Sequence, residues 1–162
     1  RAFGASTLEE ERGLTLEKAR VLMQVDRNKG DFWEVRRLEE ELVTNFADGS
    51  EGLRSDREVA LAVVAVRGRL LGSCSEALRG DSELGYLAAS MDWEAIKFVS
   101  EVLRDDRDFM LKVVRRNGLC LRGASERLTG DREVVLEAVN NMGFALRYAS
   151  SALQGEKNFI LG

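Results

Sequence analysis

Apolar residues recur along this chain at a fixed step of 25. Leucine stands at Leu53, Leu78, Leu103, Leu128 and Leu153. Two more apolar columns keep the step: Val59, Leu84, Phe109, Val134 and Phe159, then Leu61, Tyr86, Leu111, Leu136 and Leu161. Polar columns run beside them. Asp56, Asp81, Asp106, Asp131 and Glu156 form one, and Ser75, Ser100, Ser125 and Ser150 another. Self-similarity at such a period is the mark of stacked supersecondary units. Four full units occupy residues 53–152, and residues 153–162 start a fifth.

The spacing within a unit predicts two short helices. Ser55-Asp56-Arg57-Glu58 has capping-box spacing, and Gly130-Asp131-Arg132-Glu133 repeats it with glycine at the cap. An acidic residue in the first turn also complements the helix dipole. Val134, Leu136, Ala138 and Val139 then supply a broad apolar face. Gly68, Gly118 and Gly143 are expected to end this helix in the left-handed conformation that C-caps favour. The second helix, Phe144 to Leu153 in the fourth unit, turns Ala145, Leu146, Ala149 and Leu153 inward. Its small column of Cys74, Val99, Ala124 and Ala149 suits close helix approach. One unit holds too few apolar side chains to offset the entropy of ordering it, so neighbours must share a core. The expected fold is all-α: tandem two-helix repeats stacked as a short α-solenoid or curved helical bundle.

Residues 1–52 read as an N-terminal helical cap for this stack. Thr7-Leu8-Glu9-Glu10 is a second capping box, and Leu16, Ala19, Leu22 and Met23 suggest an amphipathic helix. A longer helix is expected from Asp31 to Ala47, with Phe32, Val35, Leu38, Leu42, Val43 and Phe46 on one face. Asp31 lies one repeat step before Asp56, so a worn repeat could begin there. Val43 holds the glycine column, so the helix should run straight through to Asp48-Gly49-Ser50. At the other end, Phe159, Ile160 and Leu161 begin a core helix without room to finish. The expectation is that the natural polypeptide continues beyond Gly162.

The fourth unit, Asp131-Arg132-Glu133-Val134-Val135-Leu136-Glu137-Ala138-Val139-Asn140-Asn141-Met142-Gly143-Phe144-Ala145-Leu146-Arg147-Tyr148-Ala149-Ser150, resembles the repeat of the domain-of-unknown-function 4116 family. The third unit matches through Asp106-Arg107, Val113-Val114, Asn117-Gly118 and Ala124-Ser125. The resemblance covers about two-thirds of the chain; it implies tandem helical units, no assigned activity and no catalytic residues to carry over. The second unit departs most, with Ser82 for arginine, Gly85 inside the first helix and Asp92-Trp93 in place of Asn-Gly. A tryptophan is strained in a left-handed cap, so Asp92 is expected to take that conformation instead.

Composition narrows the function. Residues 1–52 hold 8 basic and 12 acidic residues, and residues 53–162 hold 16 of each. A polyanion binder needs a cationic surplus, which the neutral array lacks. Acidic neighbours beside Arg54, Arg79 and Arg104, and beside Arg57, Arg107 and Arg132, point to ion pairs along the surface. There is no histidine, so the usual nucleophilic triad and most zinc sites are excluded, and no phosphate-binding glycine loop is present. The aspartate and serine columns read as helix caps rather than ligands or nucleophiles. Cys74 and Cys120 read as small core residues, with a reducing compartment expected. No metal and no cofactor is expected, and no apolar run is long enough for a membrane span. A soluble protein is expected, in the cytoplasm or in an organelle after removal of a targeting segment.

Function is therefore sought where the repeat varies. Trp93, Met91, Arg115, Arg116 and Trp33 are the candidate partner contacts, being residue types enriched in protein interfaces. The expected function is a non-catalytic protein–protein interaction module, a scaffold or accessory subunit of a multi-subunit complex. A helical-repeat RNA binder is the alternative, and an enzyme the third class.

Overall fold

The computed structural model describes residues 7–25 and 32–156. Among these the chain is helical with no strand. Three N-terminal helices come first: α1 (Leu8–Gln24), α2 (Phe32–Ala47) and the single turn α3 (Glu51–Arg54). The first repeat follows as α4 (Arg57–Val66), the 3-10 helix η1 (Gly68–Ser73) and the single turn α5 (Glu76–Arg79). The pattern then recurs as α6 (Ser82–Met91), η2 (Trp93–Phe98) and α7 (Glu101–Arg104), and as α8 (Arg107–Arg116), η3 (Gly118–Gly123) and α9 (Glu126–Thr129). It ends with α10 (Arg132–Asn141), η4 (Gly143–Tyr148) and α11 (Ser151–Gly155). Asp31, the expected start of a worn repeat, and Phe159, Ile160 and Leu161 lie outside the described residues.

The second helix of each unit thus divides into a 3-10 segment and one α-turn. The joint is extended backbone at Cys74, Val99, Ala124 and Ala149. That conformation frees the next N–H to leave the unit. Ser75, Ser100, Ser125 and Ser150 donate their N–H to the carbonyls of Arg54, Arg79, Arg104 and Thr129 in the preceding turn, at 2.9, 2.9, 3.0 and 2.8 Å. The hydroxyls of Ser100, Ser125 and Ser150 then cap their own turns by accepting from Leu103, Leu128 and Leu153. The serine column serves stacking and capping together.

The long helix of each unit is capped by aspartate, one residue beyond Ser55 and Gly130. Asp56 accepts from the Val59 N–H at 3.1 Å and Asp106 from Phe109 at 2.7 Å. Thr7 and Glu10 form the reciprocal capping box expected for α1.

The glycine column has a different cause from the expected one. The long helices end at Arg67, Asp92, Asn117 and Met142, all extended, with φ between −147° and −151°. Asp92 is therefore not left-handed. At Gly68 and Gly118 glycine is required because the next unit's long helix presses on it, whereas a Cβ on Gly143 would meet nothing within 4 Å among the described residues. A Cβ on Gly68 would stand 2.5 Å from the Ala88 carbonyl oxygen, and one on Gly118 closer still to that of Ala138. Accordingly η1 lies against α6 and η3 against α10, whereas η2, which starts with Trp93, makes no comparable contact with α8.

Long helices pack side by side in chain order, and so do the 3-10 helices, with one continuous core between the two rows. Val59, Val63, Val64, Leu71, Leu84, Met110, Val113, Leu121, Leu128 and Val134 are fully enclosed. The core continues into Leu16, Ala19, Leu22, Leu42 and Phe46. Helix α1 lies along α4 where a preceding long helix would lie. Helix α2 runs unbroken through Val43. Phe32 and Met23 depart from their expected apolar faces and are exposed.

Candidate interaction surfaces

Arginines lock the units at one edge. Arg57 at the start of α4 donates to Asp81 at 2.8 Å and also meets Glu83, and Arg107 repeats this with Asp131 at 2.9 Å and Glu133. Arg132 reaches Glu156, and Arg12 of α1 begins the series with Asp56 at 2.7 Å and Glu58. Ser82 breaks it, so Asp106 lacks this guanidinium. Burial alone would raise the Asp81 carboxyl. The Arg57 guanidinium and the N–H groups of Leu84 and Glu83 outweigh burial and hold it below its ordinary value. Asp56 and Asp131 are lowered against burial in the same way, by N–H groups and an arginine. Of the other arginine column, Arg104 donates to the carbonyls of Val99 and Gly123, and the buried Nε atoms of Arg54 and Arg79 have no hydrogen-bond partner.

The five candidate contact residues are spread over four elements, α2, α6, η2 and α8. Trp93 opens η2 and is half-buried, with the Arg122 guanidinium 5.8 Å from its ring centre. Arg115 and Arg116 are exposed on α8, where Arg115 pairs with Glu137 at 3.2 Å. They line a shallow cleft with Tyr86, Asp108, Leu111 and Lys112, and the Lys112 ammonium sits 4.4 Å above the Tyr86 ring. Met91 is exposed at the end of α6, beside Gly68.

Trp33 is 72% exposed and meets Phe32, itself 66% exposed, edge to face at 5.4 Å. Phe32 also lines a cleft of about 600 Å³ with Val35, Arg36, Glu39 and Glu40 of α2 and Val66 and Arg67 at the end of α4. Sequence reading placed Phe32 in the core because it fits the apolar spacing of α2. Only the packing of α2 shows that its first turn runs past that core.

The two cysteines lie in the core, as their columns lead one to expect. Cys74 and Cys120 are buried, and burial pushes both thiols up to about 12. Thiolate is the reactive form, and burial disfavours it at both positions. Among the described residues no three His, Cys, Asp or Glu side chains come together to hold a metal, and no helix is long and apolar enough to cross a membrane.

Residues 86–129 and 106–154 each match the family model described as a domain of unknown function, DUF4116. No curated protein and no solved structure matches the chain. The tandem matches agree with the tandem units of the fold, and residues 86–154 are similar to tandem DUF4116 domains.

Proposed function

We propose that this chain is a non-catalytic protein-binding array, acting as a scaffold or accessory subunit of a larger assembly. The observation that carries the proposal is the exposed aromatic pair Phe32 and Trp33, of which Phe32 lines the α2–α4 cleft. Two large exposed aromatic side chains gain most from a partner that covers them, and tryptophan and arginine dominate interface energetics. Arg36 and Arg67 beside Glu39 and Glu40 give the cleft a mixed polar rim of the kind that fixes orientation.

A photoreactive amino acid in place of Trp33 tests this in native extract, with the same group at exposed Glu126 as control. The proposal expects a discrete protein adduct from position 33 and none from position 126. Replacing Phe32 and Trp33 by serine should abolish co-purification of that protein without lowering the unfolding temperature. Absence of any adduct at position 33, or an adduct with RNA instead of protein, contradicts the proposal.

A further inference from the structure

The 3-10 row carries three cations that have no carboxylate partner among the described residues. Lys97, Arg122 and Arg147 occupy the same position in η2, η3 and η4, one repeat step apart, and all three are exposed. Among the described residues none of them forms an ion pair. Each stands instead over an aromatic ring. The Lys97 ammonium lies 5.0 Å from the Phe98 ring centre, and the Arg122 guanidinium 5.8 Å from that of Trp93. The Arg147 guanidinium lies 4.7 Å from Phe144 and 5.5 Å from Tyr148. An aromatic face orients a cation without cancelling its charge, so the outward N–H groups stay available to an anion. The acid on this row, Glu94, is engaged by Arg69 at 2.8 Å. A neutral array thus carries a cationic ridge, since these three side chains have no carboxylate partner among the described residues while Asp81, Glu83, Asp131, Glu133 and Glu156 are held in pairs with Arg57, Arg107 and Arg132.

We infer that the ridge formed by Lys97, Arg122 and Arg147 is a docking surface for an extended acidic peptide with a carboxylate at about every third residue. Packed helices lie about 8–10 Å apart, so the three cations should follow at that interval. An extended chain rises about 3.3 Å per residue, so three residues cover about 10 Å and bring each carboxylate opposite one cation. Single-stranded RNA fits less well: stacking needs open ring faces, and here the cations cover them. This inference rests on the protein-binding reading above and names one partner chemistry for it. Its residues lie on the 3-10 row, away from Phe32 and Trp33, so either reading can fail while the other stands.

The test is titration of the whole chain with a fluorescent peptide of Glu-Ser-Ala repeats. The comparison ligands are a peptide of the same composition with its glutamates contiguous, and oligouridylate. The spaced peptide should bind best and weaken with added salt. Lys97→Glu, Arg122→Glu and Arg147→Glu together should weaken it by about tenfold or more, and Arg122→Gln alone by about threefold. Arg116→Glu, on the long-helix row, should leave it unchanged. Equal binding of the two peptides, tighter binding of oligouridylate, no binding at all, or indifference to the triple and single changes would overturn the inference.

Discussion

At the scale of single residues, glycine and serine carry the repeat, and each does so through a neighbour. Gly118 is conserved in position with Gly68 because a helix of the following unit passes over it, not because its own backbone needs φ above zero. That reason was hidden in the sequence. A glycine after ten helical residues looks the same whether it reverses the chain or makes room for a carbonyl. The two cases differ experimentally. Gly118→Ala should cost about 1–3 kcal/mol in denaturant unfolding, since its Cβ overlaps backbone that cannot yield. Gly13 lies exposed inside α1 with nothing within 4 Å of its Cβ position, so Gly13→Ala should instead stabilise by about 0.5–1 kcal/mol. Equal effects at the two sites would remove the packing explanation. Trp93 shows the same logic reversed, since the unit that carries it forgoes the contact that glycine permits.

At the scale of elements, the long helices were legible and the 3-10 helices were not. A ten-residue helix bounded by an aspartate cap and an apolar face leaves a clear periodic trace, as in Arg132–Asn141. In Phe144 to Leu153 the apolar spacing suits one continuous helix, and what breaks it is the Ser150 N–H reaching Thr129 in the unit before. No local pattern announces that bond. The caps themselves invite measurement. Asp131→Ala should cost about 1 kcal/mol through the lost cap, while Asp131→Asn, which keeps a capping oxygen, should cost distinctly less. A loss as large for asparagine as for alanine would assign the effect to the Arg107 pair instead. Acid should act on the same elements. Asp56, Asp81 and Asp131 have folded values below their unfolded ones. Their contribution is therefore complete above the unfolded value of about 3.9 and is lost as pH falls through the folded values. The urea midpoint should hold steady from neutral pH downward and decline below about pH 4, and the Asp81→Asn variant should decline less. An unchanged slope in that variant would contradict the linkage.

At the scale of the molecule, the sequence columns gave the stack and its order, because a period of one unit survives whatever shape the unit takes. Surfaces were less readable. Lys97, Arg122 and Arg147 keep the same step as the core columns, yet their meaning depends on knowing that these three side chains face water without a carboxylate partner among the described residues. Phe32 passed for a core residue for the same reason. What joins these observations is one claim: successive units interlock, each closing hydrogen bonds that the previous one leaves open. The amides of Ser75, Ser100, Ser125 and Ser150 test it most directly, because they sit between helices and have their partner one unit back. Residue-resolved hydrogen exchange of the whole chain should find these four amides protected as strongly as core amides such as Val113 and Val135. Exchange at the rate of open loop backbone, with the long helices still protected, would mean that the units lie beside one another without interlocking.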